Sequence, residues 1–89
     1  MITQLINSSG NAVKNQFVIT TKVNTKFQSY NSIIASKNNK TGVITLDPKY
    51  WNYSSTTLKH LKTFLNITDS KAKITKDIDK KLYSLKNLN

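Results

Sequence analysis

The chain has no cysteine, no arginine and no glutamate, and it holds one proline, two glycines and one histidine in 89 residues. Each absence excludes something. Without cysteine there is no disulfide staple and no thiolate metal site, and a single histidine cannot complete a closed metal shell. The two glycines, Gly10 and Gly42, are too few for a Gly-rich phosphate loop. No apolar run approaches the ~18 residues of a membrane span. The first residues, 1–16, have no basic start ahead of an apolar run, so no secretory signal is read there. A cytoplasmic protein without a cofactor is expected. Without arginine the chain also lacks the planar fork that grips a guanine edge or a phosphate bidentately.

What is present is lysine. Fourteen Lys face four Asp, a formal charge of +10. Such density favours an anionic partner, because lysines along a phosphate backbone release condensed counterions. Eleven Asn and the replacement of every Arg by Lys are also what an AT-rich genome writes. Apolar content is 37%, below the usual ~45–50%. One small domain with a small core follows, for which a homodimer would add stability.

Residues 1–15 read as a polar leader or a short edge strand. Residues 16–46 read as sheet. Phe17 to Val23 is β-branched and aromatic, and Asn24-Thr25 has the length of a two-residue turn. Lys26 to Ser36 reads as one second strand, whose mixed spacing (Phe27 and Ile33 against Tyr30 and Ile34) predicts a bulge near Asn31. After the loop Asn38-Asn39-Lys40-Thr41-Gly42, with Gly42 left-handed, Val43 to Leu46 is a third strand, ended by an Asp47-Pro48 turn. Ser54 or Ser55 caps a helix with Leu58, Leu61, Phe64 and Leu65 on one stripe. Thr68 or Asp69 caps a second, with Ile74 and Ile78 inward. Residues 82–88 fit either more helix or a closing strand. The fold class is α+β: a small antiparallel sheet of three or more strands packed against two helices. The expected core joins Trp51, Leu58, Leu61, Phe64 and Leu65 to Phe17, Ile19 and Ile33.

Two segments carry a resemblance. Phe27-Gln28-Ser29-Tyr30-Asn31-Ser32-Ile33-Ile34-Ala35 and Leu46-Asp47-Pro48-Lys49-Tyr50-Trp51-Asn52-Tyr53-Ser54-Ser55-Thr56-Thr57, followed by Phe64-Leu65, resemble short uncharacterised proteins of phages and plasmids of low-GC Gram-positive bacteria. There an F-Q-S-Y-x-S-x-I-A strand leads to L-D-x-x-Y-W-D-Y-S-x-T-T and a helix ending F-L. The resemblance implies a mobile-element origin, a helix over Ile67 to Asp79 and a strand over Leu82 to Leu88. The family's turn glycine is absent here, replaced by Lys80-Lys81. Small proteins of such elements include inhibitors of host defence, anti-CRISPR proteins among them.

Catalysis finds no constellation. His60 stands alone beside Lys59 and Lys62, and Asp77 and Asp79 point to different helix faces, so no nucleophile–base–orienter set is read. Tyr50, Trp51 and Tyr53 are the densest aromatic cluster. Beside Lys49 they can stack bases or anchor a partner; equally, Trp51 can plug the core, leaving Tyr50 as the exposed member. Lys59, Lys62, Lys73, Lys76 and Lys80 form a basic face if the helices lie side by side. The expected function is binding: a lysine face, with Lys49 and Tyr50, docked on nucleic acid or a nucleoprotein complex such as a CRISPR effector. The alternatives are a phage DNA-binding or regulatory protein without inhibitory role, and an interaction module for an acidic protein.

Overall fold

The computed structural model describes residues 1–89. The order is β1 (Ile2–Ile6), β2 (Ala12–Thr20), β3 (Asn24–Ser29), β4 (Ser32–Asn38), β5 (Ile44–Leu46), α1 (Ser55–Leu65), α2 (Lys71–Asp79) and β6 (Tyr83–Leu85). All six strands form one sheet in chain order. β1 to β5 are an antiparallel meander, and β6 pairs parallel to β5 after the two helices. The fold is α+β, with twice the minimum number of strands expected. The leader is the edge strand β1.

Register decides which face is the core. Thr3, Val18, Phe27, Ala35, Leu46 and Leu85 form one row across the whole sheet. At its centre Phe27, Ala35 and Leu46 are fully buried, beneath Leu61 of α1 and Ile74 of α2. Phe27 stacks on Phe64 with ring centroids 5.5 Å apart. The neighbouring row, Ile2, Ile19, Lys26, Ser36, Thr45 and Ser84, has the opposite parity and looks away from the helices. Phe17 and Ile19 share that parity, and Ile33 pairs with Gln28 on the same side. The expectation that Phe17, Ile19 and Ile33 face the helices is therefore corrected. They are half-buried on an open sheet face, while Phe27, Ile34 and Ala35 fill the core. Trp51 is buried, and Leu58, Phe64 and Leu65 pack against the same cluster.

The turns explain the other differences. The β2–β3 turn falls at Thr21–Val23, before Asn24-Thr25, because the Thr21 hydroxyl accepts from the amides of Val23 and Asn24. The expected single strand Lys26–Ser36 is a hairpin, β3 and β4, turned by Tyr30 and Asn31. The irregularity lies opposite Phe27 and Gln28, where Ile34 is the extra residue. Ser54 caps α1 by accepting from the Thr57 amide. For α2 the cap is Ser70, one residue beyond Asp69, accepting from the Lys73 amide. Lys81, at φ 63°, takes the left-handed position that a glycine would hold, so the closing strand forms, over three residues only.

Asp47 ties these parts together. Its side chain is 2% exposed with no cation beside it. One carboxylate oxygen accepts from the amides of Lys49 and Tyr50. The other accepts from the Leu88 amide and the Asn89 side chain. Asn89 also brackets the backbone of Ile33. Burial alone pushes the Asp47 carboxyl upward; these hydrogen bonds outweigh it and hold the group below its ordinary 3.8.

Leu61→Ala is expected to lose roughly 2–5 kcal/mol in urea unfolding, and Ile19→Ala clearly less. Equal losses would mean that the helix-facing side is assigned wrongly. Because the folded Asp47 carboxyl titrates below its unfolded value, its contribution is full above that unfolded value and fades as pH falls through the folded one. Asp47→Asn should lose about 1–3 kcal/mol at neutral pH and show a shallower further loss on acidification below about pH 4. An unchanged acid limb would remove Asp47 from the pH dependence.

Candidate functional site

The two segments that carry the resemblance meet in space. A cleft of ≈ 440 Å³ opens between the β3–β4 turn, the middle of β2 and the start of α1. Tyr30, Tyr50 and Tyr53 supply its rings, and Ser29, Ser32, Ser54, Thr56 and Thr57 its hydroxyls. Every lining residue except Gln16 comes from those two segments.

Gln16 is 2% exposed, and its Oε1 has no hydrogen-bond partner. A buried acceptor left unmet costs about 1–3 kcal/mol. Tyr30 adds a second cost. Its φ is 53°, a region bulky side chains avoid, worth of order 1–3 kcal/mol of strain. The conformation is held by its amide donating to Asn15 and its carbonyl accepting from Gln28 Nε2. The residue is 64% exposed. Tyr53 is exposed too, 6.0 Å from Tyr50 at a 49° tilt.

The start of α1 completes the cleft. No acidic residue occupies its first turn. Ser54 serves the Thr57 amide, so the amides of Ser55 and Thr56 lack intrahelical acceptors. They stand at the positive end of the helix dipole. Lys49 Nζ lies 5.4 Å from the centre of the Tyr50 ring, a cation–π distance.

The expected site residues divide into three groups. Tyr50 lines this cleft, with Lys49 against its ring. Tyr50 is half-buried and packs on the core, so the exposed aromatic is Tyr53 instead. Lys59 and Lys62 line a groove with Ile6 at the end of β1 and Asn7 and Ser8 of the β1–β2 turn. Lys73 and Lys76 sit on α2 and Lys80 is its C-cap; α2 packs beside β6 while α1 lies over β3. The helix lysines thus belong to two helices that pack against different strands. Lys73 is engaged: its Nζ bonds both oxygens of Asp77 at 2.7 and 2.9 Å, and Asp77 is buried. That hydrogen bond raises the Lys73 pKa. His60 is half-buried, and burial followed by the Lys59 charge keeps its pKa below 6.5. No three His, Cys, Asp or Glu side chains gather as metal ligands, and no helix is long and apolar enough to cross a membrane.

Sequence reasoning passed over Gln16, Tyr30 and the hydroxyls around them; it placed Tyr53 in the aromatic cluster but took Tyr50 as the exposed member. The available signal was that both resemblance segments are rich in Tyr, Ser and Thr.

Fold and cleft together define a small α+β sheet-and-helix domain with a tyrosine- and hydroxyl-lined cleft at a helix start. Residues 1–81 match a family of unknown function, DUF8033, and the chain belongs to it. No curated protein and no solved structure matches the chain.

Tyr30→Gly relieves the positive φ while loosening the unfolded chain. Its melting temperature is expected to stay level or rise slightly. A marked fall by thermal circular dichroism would assign the Tyr30 ring a structural role.

Proposed function

We propose that this protein is a non-catalytic binding protein that docks on nucleic acid or a nucleoprotein complex. The observation that carries this reading is how little of the charge is neutralised internally. Of fourteen lysines only Lys73 meets a carboxylate, leaving thirteen without one. They spread over α1, α2, the turns and the open sheet face, where Lys26 and Lys86 flank Ser36 and Thr45. Lysines without arginine suit attraction to a phosphate backbone more than readout of bases. In the mobile-element setting that the resemblance implies, a protein of this kind acts stoichiometrically, by occupying a site on a host machine in the bacterial cytoplasm. Inhibition of an RNA-guided CRISPR nuclease is the specific case we favour.

Fluorescence anisotropy with labelled duplex and single strands is the direct test. Sequence-independent binding in the ~10⁻⁴–10⁻⁶ M range at physiological salt is expected, weakening steeply as salt rises. Lys76→Glu with Lys80→Glu leaves the Lys73–Asp77 pair intact. It should lower the slope of log K on log salt by about 0.9 for each phosphate no longer neutralised. Absence of binding to any nucleic acid at low salt would move the partner to an acidic protein surface. Protection of plaquing phage in a CRISPR-immune host tests the inhibitory case.

A further inference from the structure

We propose that the tyrosine-lined cleft is a binding site for a single unstacked nucleotide, its base on the tyrosine rings and its phosphate at the start of α1. The proposal rests on the nucleic-acid reading above and gives it a specific pocket. Four independent features converge there.

The first is the open helix start. The amides of Ser55 and Thr56 lack intrahelical acceptors, no acidic side chain occupies the first turn, and α1 is 11 residues long. Backbone amides at such an end bind phosphate oxygens. The second is Gln16. It is only 2% exposed, it lines the cleft, and its Oε1 is unmatched. Its side chain thus leaves hydrogen-bonding capacity unmet beside the cleft, and the edge of a base carries both donors and acceptors.

The third is the rings. Tyr30 and Tyr53 are 64% and 71% exposed at the cleft, and bases stack on such faces whatever their sequence. Tyr30 is held in a strained backbone conformation to present its ring. The fourth is Lys49, whose ammonium lies 5.4 Å from the centre of the Tyr50 ring, a positive charge against one of the cleft's tyrosines. The cleft's ≈ 440 Å³ falls within the ~300–1,000 Å³ of small-ligand sites. A membrane or a protein would engage the broad lysine surface; this cleft is lined by tyrosine rings and by hydroxyls, which suits a planar ring joined to a phosphate.

The full chain, ¹⁵N-labelled, is titrated in salt high enough to suppress the dispersed lysines. Adenosine monophosphate, a four-nucleotide adenine strand and inorganic phosphate are added separately. The backbone amides of Ser55 and Thr56 and the Gln16 side-chain amide are expected to shift saturably with the nucleotide probes. The strand binding more tightly than the monophosphate assigns the site to nucleic acid; equal affinity assigns it to free nucleotides. Tyr53→Ala and Gln16→Leu should each weaken binding about fivefold or more. The melting temperature of Gln16→Leu should not fall, since the variant removes an unmatched buried oxygen. The proposal is overturned if neither nucleotide probe shifts these amides, if phosphate alone binds as tightly as the monophosphate, or if both variants keep full affinity. Any of these results can coexist with salt-sensitive duplex binding, which separates failure of the cleft from failure of the wider reading.

Discussion

One buried carboxylate holds the parts of this molecule in register. Asp47 ends β5, starts the turn into α1 and accepts from the last two residues of the chain. Its amide donates to Ile34, and its carbonyl accepts from Tyr50 and Trp51. β5 has three residues and β6 three, too few to fix their positions by ladder bonds alone. The ionised carboxylate supplies the missing fixation through charge-assisted bonds to amides. It also places Tyr50 and Trp51, and through them the start of α1. The cleft's aromatic wall is set by an aspartate that does not line it.

Lys73 plays a comparable part at the other end. Asp77 is buried and would be unmatched without the Lys73 ammonium over it. This makes Lys73 a structural residue within a row that spacing alone presents as a uniform basic face. The remaining α2 lysines are free to meet a partner. Charge that looks interchangeable in a sequence is divided by its partners: Lys73 covers a buried carboxylate and holds the fold, and the others meet none.

Much of the fold could be read from residue patterns. The helix over residues 55–65 follows from Leu58, Leu61, Phe64 and Leu65 with a serine cap, and Gly42 falls where the left-handed loop residue was expected. The sheet's facing could not. It depends on two positive-φ residues, Asn15 and Tyr30, and on the extra residue at Ile34, none of which carries the usual glycine marker. A one-residue slip reverses every side chain of a strand, so missing the Tyr30 turn and the extra residue at Ile34 sent Ile33 to the wrong side. On β2 the larger apolar residues Phe17 and Ile19 sit on the open face while Gln16 and Val18 face the helices. The cleft was illegible for a related reason. Its lining comes from segments whose meeting is created by that same turn, and Gln16 is distinguished only by burial. By contrast, the α+β class needed only the count of strand-like and helix-like stretches.

The parallel pairing of β6 has a kinetic consequence. Strands β1 to β5 each join their chain neighbour, so their contacts close short loops. β6 must wait until the whole stretch from Asp47 through both helices has returned to the sheet, a far longer closure. Closing the meander therefore costs less chain entropy than docking the final strand. Without β6 and the residues after it, the Asp47 carboxylate would lack half its donors and the β5 edge would stand open, so the most costly closure is also the one that seals the sheet.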